Sequence, residues 1–110
     1  MEGDKSIVRN SKGEIVEFEV SSYLYYYNNL NLKEIISIPN NIIVLDCSNN
    51  QLISLSILPQ SLLRLYCENN NIKQLPDLRE CRFLEKVICD ICCLEDYMLE
   101  MKNVTFELFC

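Results

Sequence analysis

Leu45-Asp46-Cys47-Ser48-Asn49-Asn50-Gln51-Leu52 returns twenty residues later as Leu65-Tyr66-Cys67-Glu68-Asn69-Asn70-Asn71-Ile72. A fixed period of this length is the signature of a repeat architecture, in which each unit buries its apolar face against the next. Ile42 and Leu62 precede the two copies in the same register, so the unit reads I/L-x-x-L-x-C-x-x-N-x-L/I. The connection repeats as well: Leu32-x-x-Ile35-x-x-Ile38-Pro39-x-x-Ile42 is copied as Leu52-x-x-Leu55-x-x-Leu58-Pro59-x-x-Leu62. Proline fixes φ and lacks a backbone donor, so Pro39 and Pro59 predict extended or polyproline-like connections instead of long helices.

Outward from these two copies the pattern loosens. The third unit begins in the same way as Ile72-x-x-Leu75-Pro76-Asp77-Leu78, and Arg79-Glu80-Cys81-Arg82-Phe83 then adds residues that suit a short helical turn. The next copy, Leu84-x-x-Val87-x-Cys89-x-x-Cys92-x-Leu94, puts a cysteine at the asparagine position. Glu95-Asp96-Tyr97-Met98-Leu99-Glu100-Met101 combines helix formers with apolar residues at helical spacing and predicts one short convex helix. Thr105 to Cys110 supplies a last strand. Upstream, Tyr25, Tyr27 and Leu32 align on Leu45, Cys47 and Leu52 at an offset of twenty, but this register places Leu30 where Asn50 stands. Asn28, Asn29 and Asn31 leave it open by a residue or two. At the N-terminus, Ser6-Ile7-Val8-Arg9 and Glu14 to Val20 alternate apolar and polar residues around Asn10-Ser11-Lys12-Gly13, which reads as a β-hairpin.

Residues 32 to 94 resemble the short leucine-rich repeats, about twenty residues long with proline-containing connections, of bacterial effectors and proteins of large DNA viruses. The resemblance implies an α/β-type solenoid, mostly β, with a parallel sheet on its concave face and ladders of asparagine bonding backbone groups at the turns. Asn50 and Asn70 are then the ladder asparagines, and Cys92 replaces the third. Residues 1–20 become an N-terminal hairpin cap, and residues 21–110 a solenoid of about four repeats plus a final strand. Some bacterial effectors of this style attach a ubiquitin ligase domain; this chain has no room for one, and that activity does not transfer.

Composition narrows the function further. The chain has 110 residues, 49 % of them hydrophobic, which suits one soluble domain. A net charge of −6 repels phosphate backbones and anionic lipid surfaces, so neither nucleic acid nor membrane is an expected partner. Met1-Glu2-Gly3-Asp4-Lys5 has no basic start followed by an apolar run, and no apolar stretch is long enough to span a bilayer.

The seven cysteines, an odd number, follow the repeat instead of a secreted disulfide framework, which indicates a reducing intracellular setting, cytoplasmic or within a virion. Cys47, Cys67, Cys89 and Cys110 take the same place at intervals of 20, 22 and 21 residues and predict a buried column of reduced thiols. Cys81, Cys89, Cys92 and Cys93 have spacings that zinc sites use, but Cys89 and Cys92 already have repeat positions, and core packing is the favoured reading. A nucleophilic cysteine needs a neighbouring base, and the chain contains no histidine. Glu95-Asp96 falls at a solvated helix start, where it favours the dipole. Neither catalysis nor a cofactor is expected.

Residues alternating with the buried leucines and cysteines must face outward. The central column reads Tyr26, Asp46, Tyr66, Ile88 and Phe109, with Val44, Arg64, Lys86 and Glu107 on one flank and Ser48, Glu68 and Asp90 on the other. An aromatic and apolar stripe beside charges resembles the centre and rim of a protein–protein interface. Mutual packing of cross-strand neighbours such as Tyr66 and Ile88 is compatible with that role. The candidate partner-binding residues are therefore Tyr26, Asp46, Arg64, Tyr66, Glu68, Lys86, Ile88 and Phe109. The alternative is a structural subunit of a larger assembly, such as a minor virion component, docking through a C-terminal strand rich in Phe106, Leu108 and Phe109. The helix at 95–101 folding over that end would remove the surface.

Overall fold

In a computed structural model of the protein, residues 4–20, 23–55 and 58–110 are described; the expected start of the second unit at residue 21 lies outside them. Among the described residues eight strands account for most of the regular structure: β1 (Asp4–Asn10), β2 (Ile15–Val20), β3 (Leu24–Tyr26), β4 (Leu32–Ser37), β5 (Val44–Asp46), β6 (Arg64–Tyr66), β7 (Lys86–Asp90) and β8 (Thr105–Phe109). They form an antiparallel sheet in the order β2-β1-β4 and a parallel sheet in the order β3-β5-β6-β7-β8. Among the described residues there is no α-helix, and short 3-10 segments occupy Leu78–Glu80, Ile91–Cys93 and Asp96–Glu100. No helix among the described residues is long and apolar enough to cross a membrane.

The N-terminal hairpin forms where alternation and turn chemistry place it. Asn10 Oδ1 accepts from the backbone amides of Lys12 and Glu14 at 3.0 and 2.9 Å, and Gly13 adopts a φ of +84° that a side chain would strain. β1 then pairs antiparallel with β4, through two irregularities that shift its register. The first proline-containing connection is thus extended as expected, but it is also a sheet strand, because β1 supplies a partner for its backbone. The corresponding described residues 52–55 after β5 form no strand.

The parallel sheet follows the repeat. Tyr25 lies opposite Leu45, Leu45 opposite Leu65 and Leu65 opposite Val87, at offsets of twenty, twenty and twenty-two residues. All four point into the core, followed along the chain by buried Cys47, Cys67 and Cys89. Leu32, Ile35, Leu52, Leu55, Ile72, Leu75 and Leu78 from the connections complete one contiguous apolar cluster with them. Asn49 and Asn69 take left-handed φ values of 57° and 58°, which asparagine tolerates better than other chiral residues. Asn50 Nδ2 donates to the carbonyls of Tyr27 and Cys47 at 2.8 and 3.0 Å while its Oδ1 accepts from Leu30 and Leu32 N–H. Asn70 Nδ2 reaches Cys47 and Cys67 O at 3.0 and 3.2 Å, and its Oδ1 accepts from Leu52 N–H.

Two expectations are corrected at the C-terminal end. Residues 95–101 form a 3-10 segment, Asp96–Glu100, not an α-helix. Five residues gain too few α-helical bonds to offset nucleation, whereas 3-10 geometry serves short pieces. The register of β8 also differs, since Val87 pairs with Phe106 and Cys89 with Leu108, an interval of nineteen residues. A 3-10 turn rises about 2.0 Å per residue against about 1.5 Å for an α-helix, so the connection reaches the sheet edge in fewer residues. Cys110 therefore stands outside the cysteine column and is exposed.

Candidate functional site: the outer face of the parallel sheet

Strand alternation turns every second residue of the parallel sheet away from the core. Across the strands the central row is Tyr26, Asp46, Tyr66, Ile88 and Glu107. Tyr26 is 57 % exposed, and Asp46, Tyr66 and Ile88 are half-buried. Phe109, expected to end this row, instead pairs with Asp90 on the flank, and Glu107 takes its place. On the other flank Val44, Arg64 and Lys86 are followed by Thr105. Within that set, Val44 and Ser48 are 8 % and 4 % exposed, so these two contribute little to the outward surface.

Charges on this face are held in fixed positions. Asp46 Oδ1 accepts from the Ser48 amide at 3.1 Å and the Ser48 hydroxyl at 2.6 Å, and its Oδ2 accepts from Asn28 Nδ2 at 2.9 Å. Asp90 accepts from the amides of Asn69 and Asn70 at 2.8 and 3.1 Å. Lys86 Nζ pairs diagonally with Glu107 Oε1 at 3.2 Å. Glu68 Oε1 is buried and finds no hydrogen-bond partner among the described residues. Burial raises the Glu68 pKa, the negative charges of Asp46, Asp90 and Glu107 raise it further, and its own backbone amide opposes them. Arg64 is exposed at the start of β6.

The buried thiols of Cys47, Cys67, Cys89 and Cys93 are poorly suited to nucleophilic work. Burial pushes Cys47 and Cys67 far above the ordinary thiol range, and raises Cys89 to about 11 and Cys93 to about 12. Such groups stay neutral at physiological pH, and the thiolate is the attacking species. Cys81 Sγ donates to Pro59 O at 3.6 Å, and Cys92 and Cys93 Sγ donate to Ile72 O at 3.5 and 3.3 Å. Among the described residues no three potential ligands are placed to share a metal ion.

Of the eight residues singled out in the sequence, Tyr26, Asp46, Tyr66 and Ile88 share the central row, Arg64 and Lys86 border it on one flank, and Glu68 borders it on the other, where Phe109 sits beside Asp90 instead of in the row. One contributor, Glu107, was expected on a flank, and another, Asn28, was missed. Glu107 joins the row through the nineteen-residue interval, which alternation alone does not reveal, and Asn28 fixes Asp46 from the turn after β3. In comparisons with known proteins, no family model matches the chain and no curated protein matches its sequence. The reading of this face accordingly rests on its own geometry.

Proposed function

We propose that the protein is a small leucine-rich repeat module that works by protein–protein contact through the outer, concave face of its parallel sheet, without cofactor or catalysis. The observation that supports this most directly is the row of exposed and half-buried Tyr26, Tyr66 and Ile88 bordered by Arg64, Glu68 and Lys86. Aromatic and apolar groups in the central row, with Asp46 among them and further charges at the rim, suit a docking surface. The twenty-residue strand offsets and the bonding of Asn50 and Asn70 support the repeat assignment. Seven free cysteines fit a reducing compartment. The test is an affinity pull-down from the native source under reducing conditions, comparing wild type with a Tyr66→Ala, Ile88→Ala pair. Loss of one specific partner with the pair supports the reading; identical partners for both forms reject it.

A second reading is favoured by the edge of the sheet. Among the described residues β8 has a single strand neighbour, and its Leu108 and Phe109 are 37 % and 48 % exposed. In this reading β8 docks on a neighbouring subunit of a larger assembly through its open edge. Deleting residues 104–110 then abolishes assembly; a truncated chain that folds and still assembles rules it out.

A further inference from the structure

The central row places Asp46 between two tyrosines on adjacent strands, Tyr26 on β3 and Tyr66 on β6. Neighbouring strands lie about 4.8 Å apart, so the tyrosine Cα atoms flank the Asp46 Cα at about that distance on either side. Asp46 is preorganised, because Asn28 and Ser48 hold both carboxylate oxygens by neutral donors. Among the described residues no cation pairs with it. The surrounding charge is unbalanced in the same direction. Glu68 and Asp90 lie on one flank and Arg64 and Lys86 on the other, the Lys86 charge is engaged by Glu107, and the whole chain carries −6.

Elsewhere the molecule shows what complements a carboxylate beside a tyrosine ring. Arg79 Nε and Nη2 fork onto the two oxygens of Asp77, each at 2.9 Å, while the guanidinium lies 4.5 Å from the centre of the Tyr97 ring. The outer sheet face presents the same two chemical groups, and its own arginine, Arg64 on the flank, makes no ion pair with Asp46. Asp46 Oδ1 already accepts two hydrogen bonds and Oδ2 one, so the open acceptor site is on Oδ2; a guanidinium suits it better than an ammonium, because it is planar, weakly hydrated and stacks on aromatic rings while it donates.

We propose that the partner docking on this face is a protein segment presenting an arginine, whose guanidinium seats over Asp46 between Tyr26 and Tyr66. This rests on the interaction-module reading above and adds the chemistry of the partner. Charge complementarity also sets how the complex forms: a basic segment is steered toward the acidic chain, and binding weakens as salt rises.

The test is selection of a random dodecapeptide phage library on the immobilised full-length protein under reducing conditions. The recovered peptides are resynthesised and their binding is measured by fluorescence anisotropy. Arginine is enriched in the recovered sequences, and replacing it by citrulline, which keeps the shape but removes the charge, weakens binding by about tenfold or more. Asp46→Asn weakens the arginine peptide to a similar degree and leaves the citrulline peptide little changed; the citrulline comparison holds even if that variant folds poorly. Binders that lose affinity with Tyr66→Ala yet show neither arginine enrichment nor a citrulline effect overturn this inference and leave the outer-face reading standing. Binders indifferent to Tyr66→Ala, or no specific binder, overturn both.

Discussion

A single amide side chain does the work of several backbone partners in this protein. Asn70 Nδ2 donates to Cys47, Cys67 and Glu68 carbonyls, and its Oδ1 accepts from Leu52 N–H, so it joins two successive turns. Asn70→Ala strands these part-buried groups, and it is expected to cost about 2–4 kcal/mol in urea unfolding; a loss below about 0.5 kcal/mol would show that water substitutes for the amide. Glu68 acts in the opposite sense. Its folded pKa lies above the ordinary 4.5 because burial and neighbouring acids disfavour the charge. The resulting penalty is fully present above the folded pKa and disappears as pH falls below 4.5, where the group is protonated in both states. Glu68→Gln should therefore raise Tm at neutral pH by about 2–4 °C, the effect of a solvent-screened cost of about 0.5 kcal/mol, and the gain should vanish in acid. Thermal melts of both forms across this pH range decide the matter, and a gain independent of pH would assign the effect to packing instead of charge.

The strands differ in how far their pairing can be read from residue patterns. β5 and β6 are fully legible, because Leu45, Cys47 and Asn50 recur with identical spacing in the next unit and the observed register is the sequence offset. β8 is legible as a strand but not in register: a slip of two residues keeps Phe106 and Leu108 on the inward side, so apolar alternation fits both alignments equally well. That slip also moves Phe109 from the central row to a flank and Glu107 from a flank into the row. The pairing of β4 with β1 joins residues far apart in sequence, and nothing local in Leu32–Ser37 announces its partner. Glu95–Met101 failed for another reason: helix propensity argues for turning, but not for α over 3-10 geometry in so short a stretch. The β8 register is open to direct test. Phe106 packs against the core whereas Cys110 is exposed, so Phe106→Ala should destabilise by about 1–3 kcal/mol and Cys110→Ala by less than about 0.5 kcal/mol. The reverse order in chemical denaturation would restore the twenty-one-residue interval and return Cys110 to the thiol column.

Two sheets of opposite strand sense raise the question of whether the molecule unfolds as one body. In a linear stack each unit touches only its neighbours, and stability is close to a sum of local terms. The radius of gyration, 13.4 Å, instead matches the value of about 13 Å for an ordinary globular chain of this length. The physical link lies at the junction of the sheets. Val8 of β1 is fully buried and belongs to the same apolar cluster as Leu45, Leu65 and Val87. Ser6 of β1 is hydrogen-bonded to the Tyr25 hydroxyl of β3, and Phe18 of β2 meets the Tyr27 ring edge-on at 4.8 Å between centroids. Tyr25 is thus tied to the hairpin by its hydroxyl and to the parallel sheet by its ring and backbone, and its burial pushes the phenol pKa far up. Val8→Ala removes two buried methyl groups and should cost about 1–3 kcal/mol. If the sheets form one cooperative unit, this change accelerates hydrogen exchange by the same free energy in β1 and in the distant strands β6 and β7, and far-UV circular dichroism and tyrosine fluorescence report a single transition. Exchange that quickens in residues 4–20 while β6 and β7 keep their protection would instead make the hairpin a separately melting cap, and the parallel sheet would then present its outer face without it.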